Sequence, residues 1–115
     1  MPKVYKIFLK EKGIRYFEHT EFTDIISEAD IIYMTRVQKE RFSDPIEYEK
    51  VKNIYILRNS MLKHTKPNVK ILHPLPRVNE IHTDVDNNEK AYYFTQALNG
   101  VYTREAIIAH TMNLK

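Results

Sequence analysis

Two short apolar runs constrain the fold of this chain more than any other feature. Ile31-Ile32-Tyr33-Met34-Thr35 and Val69-Lys70-Ile71-Leu72 are of strand length, and each leads into a polar or proline-rich segment. Continuous apolar runs suit strands buried on both faces of a parallel sheet. Between them, Asp44-Pro45-Ile46-Glu47 places Asp at an N-cap, Pro at the first helical position and Glu at the third. That is a capping-box pattern, and it predicts a helix to about Lys52. Ile54–Leu57 is apolar and of undecided type, and Asn59 to about Thr65 reads as another short helix. Helices alternate with strands, so the class is α/β with a parallel sheet.

The flanks are read the same way. Val4, Ile7 and Phe8 follow helical spacing from Pro2 to Gly13, which reads as the residue after a helix end. Ile14–His19 is short, aromatic and β-like. Thr23–Glu28 resembles an N-capped short helix. Ala91 to about Leu98 is expected to be helical and stopped by Asn99-Gly100, with Val101 to about Asn113 as the last helix.

Composition removes several classes of function. The 115 residues are one domain at most, or part of a larger one. Only two glycines occur and they do not cluster, so there is no Gly-rich phosphate loop. No cysteine is present, which excludes disulfides, Cys-based zinc sites and thiol catalysis. No apolar run approaches the ~20 residues that span a bilayer, and Met1–Tyr5 lacks a signal-peptide core. A soluble, cytoplasmic chain without membrane contact is expected. The net charge is +3, but basic and acidic residues are interleaved, so no nucleic-acid partner is expected.

Two segments carry chemistry. Thr35-Arg36-Val37-Gln38 follows the first strand, and ligands in open α/β sheets bind beyond the carboxyl ends of strands. Arg36 and Gln38 point the same way in an extended segment, and a guanidinium grips a carboxylate or phosphate bidentately. The alternative is an exposed charged loop. His73-Pro74-Leu75-Pro76-Arg77 follows the second strand, and its prolines stiffen it. An X-Pro bond here could be cis, aiming the Leu75 carbonyl inward; the alternative is a rigid turn without a ligand. Asp84, Asp86 and Asn88 imitate a calcium loop, but Glu89 and Thr95 stand where Gly and a bidentate Glu are needed. The five histidines form no i,i+4 pair, so no metal or other cofactor is expected. Tyr92, Tyr93 and Phe94 read as helix packing.

The ordered set Tyr33–Phe42, His73–Ile81, Asp84-Val85-Asp86, Tyr93–Ala97 and Asn99-Gly100-Val101 resembles the catalytic chains of the aspartate carbamoyltransferase family along essentially the whole length. Ornithine carbamoyltransferases carry a Ser-Met-Gly type and a His-Cys-Leu-Pro segment at the two loops. The resemblance implies a Rossmann-like sheet of order 3-2-1-4-5. It implies transfer of a carbamoyl group from carbamoyl phosphate to the L-aspartate amine, an early step of pyrimidine biosynthesis. By motif, Arg36 and Gln38 bind aspartate, and Leu75 and Pro76 border the carbamoyl phosphate and the amine. The bond before Pro76 is cis in the family. Arg41 and Arg77 support the site, and Glu47 and Tyr48 belong to a loop that closes over the ligands. Asn79 stands where Asp is common in microbial members, although Asn also occurs; this bears on one contact supporting closure.

The resemblance also implies that residues 1–115 are the C-terminal part of the aspartate-binding domain, including the final helix, without the carbamoyl-phosphate domain. Only the family's third strand (about Arg15–His19), fourth (about Ile31–Thr35) and fifth (about Val69–Leu72) are represented. The fourth is expected to have an open edge, and Ala106, Ile107, Ile108 and Met112 to be uncovered. Met1-Pro2 matches an internal Met-Pro of the family, which points to a truncated or split reading frame. The chain is thus expected to be a fragment inactive alone. Its alternatives are half of a split enzyme and a stand-alone amino-acid-binding or interaction module. The family assembles as catalytic trimers, some with a regulatory chain.

Overall fold

The computed structural model describes residues 2–37, 42–51 and 54–114. The order is helix α1 (Lys3–Glu11), strand β1 (Ile31–Tyr33), helix α2 (Pro45–Val51), strand β2 (Lys70–Leu72) and helix α3 (Tyr93–Thr111), with 3₁₀ turns at Phe22–Asp24, Asn59–His64 and Thr83–Val85. β1 and β2 pair in parallel, Ile32 opposite Ile71. The expected class and strand pair are therefore present. The far edge of β2 is also engaged, because the Ile71 N–H donates to Lys90 O and the Tyr92 N–H to Ile71 O. Leu57 makes an isolated parallel bridge to Ile81, which settles the undecided Ile54–Leu57 segment.

Local signals account for the termini. The Asp44 carboxylate accepts the Ile46 N–H at 2.8 Å, so Asp44 caps α2 as its spacing predicts. α1 ends in a Schellman motif: the Gly13 N–H donates to Lys10 O and the Ile14 N–H to Leu9 O, with Gly13 at φ 65°. The same motif closes α3, with Asn113 at φ 54°.

Three expectations of secondary structure fail. α3 runs unbroken through Asn99-Gly100 for 19 residues. A helical glycine costs only about 1 kcal/mol relative to alanine, less than orphaning a turn of carbonyls. Thr103 Oγ1 and the Arg104 guanidinium add bonds to Asn99 O and Gly100 O, each 2.9 Å. Ile14–His19 is not a strand, since no neighbouring strand among the described residues offers it a ladder. Thr23–Glu28 forms a 3₁₀ turn and further turns in place of a short α-helix.

The core joins Ile26, Leu57, Leu62, Ile71, Ile81, Val85 and Tyr93. It covers one side of β1 only. Ile31 and Tyr33 are 61% and 54% exposed, so burial on both faces does not hold for this strand. Among the described residues β1 has β2 as its one ladder neighbour, and its other edge is open. Ala106, Ile107 and Ile108 are exposed on α3 and Met112 at its C-cap, as are Val4, Ile7 and Phe8 on α1. The accessible surface is 9254 Å², against about 6,600 Å² for a compact protein of this mass. The radius of gyration is 17.3 Å, against about 13 Å.

The two glycines make a test of this backbone. Gly100→Ala is expected to stabilise α3 by up to about 1 kcal/mol, since the added Cβ meets only the flexible end of Arg104. Gly13→Ala is expected to destabilise the α1 end by about 1–2 kcal/mol, because its φ of 65° is left-handed. Thermal melts followed by far-UV circular dichroism check the opposite signs.

Candidate functional site

β1 and β2 are parallel neighbours, so the loops that leave them emerge at the same end. Thr35, Arg36 and Phe42 from the first, and His73, Pro74, Leu75 and Pro76 from the second, line one cleft of about 680 Å³. The structure thus brings together Arg36, Leu75 and Pro76. Arg36 also borders a small recess with Val37, Tyr48, Val78, Asn79 and Glu80. Tyr48 projects from α2 and packs edge-on against Phe42, ring centroids 5.8 Å apart. Glu47 lies in the first turn of α2 and is exposed. Gln38 and Arg41 lie outside the described residues.

The His73–Arg77 loop is fixed from beneath. The Leu75–Pro76 bond is cis, as expected. The His73 N–H donates to Gln96 Oε1 on α3 at 2.9 Å, and the Leu75 N–H to His73 Nδ1 at 2.8 Å. His73 Nε2 lies 2.7 Å from Glu80 Oε1. Burial pushes the Glu80 carboxyl up, but N–H donors of its own residue and Val78, with His73, outweigh this and hold it below the usual range.

Arg77 turns away from the cleft. Its guanidinium forms a two-pronged pair with Asp86, the Nη2–Oδ2 arm being 2.5 Å, and donates to the Tyr93 hydroxyl at 3.2 Å. Tyr93 also donates to Asp86 Oδ1. This cluster pins the loop to the first turn of α3. Hydrogen bonding from Arg77 holds the Asp86 carboxyl low, and Asp86 raises the guanidinium further. Burial and then Asp86 push the Tyr93 hydroxyl up to about 12.

Tyr93 therefore stays neutral in the fold where the unfolded chain ionises. Its contribution is complete below pH 10, the ordinary tyrosine value, and fades as pH rises to about 12. About 2–3 kcal/mol should be lost across that window. Tyr93→Phe should remove this alkaline loss, which urea midpoints measured through the window will check.

Glu80, Asp86 and Gln96 lie within the motifs, but the sequence assigned them no role in the site. Glu80 did carry one signal, as an acid flanked at one remove by Val78 and directly by Ile81, seven residues from a histidine. Asp86 belongs to Arg77 and Tyr93, and Asp84 accepts the Asn59 N–H at 3.1 Å. No helix among the described residues is long and apolar enough to cross a membrane.

The family model for "Aspartate/ornithine carbamoyltransferase, Asp/Orn binding domain" matches residues 2–111. The aspartate carbamoyltransferase catalytic subunit of Bacteroides thetaiotaomicron is 65% identical over 115 residues, covering 99% of this chain and 37% of that relative. The catalytic subunit of M. jannaschii aspartate transcarbamoylase superposes with a TM-score of 0.87 at 40% identity, over 100% of this chain and 38% of that one. Aspartate transcarbamoylase from Trypanosoma cruzi, in complex with carbamoyl aspartate and phosphate, superposes with a TM-score of 0.74 at 31% identity, over 92% and 34%. The chain thus spans little more than a third of the length of the relatives it matches. Fold, loop order and sequence agree, and the chain belongs to the aspartate/ornithine carbamoyltransferase family, matching its Asp/Orn-binding domain.

Proposed function

We propose that this chain supplies the aspartate-binding side of an aspartate carbamoyltransferase. One observation carries the reading: Arg36 and the Leu75-Pro76 pair line the same cleft at the carboxyl ends of adjacent parallel strands. The Arg36 guanidinium grips an aspartate carboxylate in two hydrogen bonds, with Gln38 beside it. That grip directs the α-amine toward the Leu75-Pro76 wall, where the carbamoyl group lies. The amine nitrogen bonds to the carbamoyl carbon, the carbon–oxygen bond to phosphate breaks, and the amine proton passes to the departing phosphate. Orientation and stabilisation of the tetrahedral intermediate supply the rate, and no step calls on a metal or cofactor. Tyr48, which borders the recess beside Arg36, and Glu47 take part in closure in this reading, and Arg41 and Arg77 support the walls.

Residues 1–115 form the C-terminal part of the aspartate-binding domain in this reading; the rest of that domain supplies the strands missing beside β1, and a separate carbamoyl-phosphate-binding domain covers the apolar side chains of α3. The surface excess and the exposed apolar side chains support this over a stand-alone module. A cytoplasmic catalytic trimer, in some assemblies with a regulatory chain, belongs to the same reading.

The test combines the chain with the part of the Bacteroides thetaiotaomicron relative that it does not cover. The assembly is expected to carbamoylate L-aspartate and not L-ornithine, whose ammonium tail offers Arg36 no second carboxylate. Equal use of the two amines would overturn the assignment.

A further inference from the structure

His73 and Glu80 are 2% and 5% exposed and form a buried polar pair directly beneath the cleft. Their hydrogen bonds leave one arrangement of protons. The Leu75 N–H points at His73 Nδ1, so that nitrogen is an acceptor and carries no proton. The proton is then on Nε2, which donates to Glu80 Oε1. The other Glu80 oxygen accepts the Val78 and Asn79 N–H groups at 3.1 and 3.0 Å. Glu80 is thus an acceptor at both oxygens, the role of an ionised carboxylate. Leu75 sits at φ 44°, a left-handed conformation that leucine rarely adopts and that persists only where neighbours enforce it. The bond from its N–H to His73 is such a constraint.

We infer that Glu80 is a positioning residue: by keeping the His73 proton on Nε2 it leaves Nδ1 open to the Leu75 amide, and so sets how Leu75 and Pro76 face the cleft. The inference rests on reading that cleft as the site of carbamoyl transfer. It requires a carboxylate at position 80. A glutamine with its oxygen toward His73 sets its NH₂ against the Val78 and Asn79 N–H groups. With its NH₂ toward His73, the ring proton moves to Nδ1 and meets the Leu75 N–H. One bond of the chain is lost either way.

The experiment is ¹⁵N NMR of the chain labelled in its histidine rings, with amide exchange at Leu75 and kinetics of the assembly described above. Wild type is expected to show a neutral His73 with its proton on Nε2. Glu80→Gln is expected to shift that tautomer or speed Leu75 exchange about tenfold or more. It is also expected to lower kcat by about ten- to a hundredfold, with the aspartate KM changed less than about threefold. Val85→Ala, which loosens the same core without touching the pair, should move neither the tautomer nor kcat. A wild-type proton on Nδ1, or a Glu80→Gln enzyme with unchanged tautomer, exchange and kcat, overturns the inference. A shifted tautomer with undiminished kcat overturns it as well. If the wild-type assembly makes no N-carbamoyl-L-aspartate, the reading of the cleft fails, and the tautomer and exchange data still decide whether Glu80 governs the loop.

Discussion

Arg36→Ala, made in the assembled enzyme, is expected to lower kcat/KM for L-aspartate by about 10²–10³-fold. Each hydrogen bond between charged partners is worth about 1.5–3 kcal/mol, and a guanidinium can give a carboxylate two. Arg36 lies at the cleft with Leu75 and Pro76, so its loss removes the grip and leaves the opposite wall in place. The change should therefore fall mainly on the aspartate KM, with the carbamoyl phosphate KM little altered. Arg36→Lys should recover only part of it, because an ammonium is a point charge without the planar fork. Lys10→Ala, an exposed cation at the end of α1, is the control and should change neither constant. Steady-state kinetics with each substrate varied in turn provide the comparison, and equal effects at positions 36 and 10 would count against the assignment.

Asp86→Ala is expected to have the largest effect on stability. Removing the carboxylate leaves the Arg77 guanidinium and the Tyr93 hydroxyl without their shared acceptor. Breaking a fully buried pair costs about 3–5 kcal/mol. Here the side chains keep 16% and 26% of their exposure, so about 2–4 kcal/mol is expected. Amide exchange at Ile71 and Tyr92, whose N–H groups tie β2 to the segment before α3, should speed by about thirty- to several-hundredfold. The pH dependence has a definite sign. Asp86 is held below its ordinary 3.8, so its contribution is present above that value and is lost as pH falls through the depressed one. Asp86→Ala should therefore remove this acid loss, and also the part of the alkaline loss that Asp86 imposes on Tyr93.

Much of the site was legible in the sequence, and the physical reason is locality. A strand followed by a polar loop announces itself through apolar run length, and two such units predicted the β1–β2 pair and both cleft loops. The Asp44 cap and the Gly13 stop are decided within a few residues, so they too were readable. The misreadings have different causes, one of which is dependence on a distant partner. Ile14–His19 has strand character, but a strand exists only with a ladder beside it. Asn99-Gly100 has the composition of a stop, yet a helix ends only when a left-handed cap is cheaper than another turn. Glu80 and Asp86 meet His73 and Arg77 across an irregular loop, where no periodicity links the partners. The motifs named the loops, and the tertiary bonds show what holds them.

The central claim is that these 115 residues carry one wall of a carbamoyl-transfer cleft whose other wall is contributed by another domain. The most direct test is formation of N-carbamoyl-L-aspartate from carbamoyl phosphate and L-aspartate. It is measured with the chain alone and with the uncovered part of the Bacteroides thetaiotaomicron relative added. No product from the chain alone, and product on assembly whose rate at limiting L-aspartate Arg36→Ala lowers by about 10²–10³-fold, is the predicted result. Product from the chain alone, or an assembly indifferent to Arg36, would contradict it.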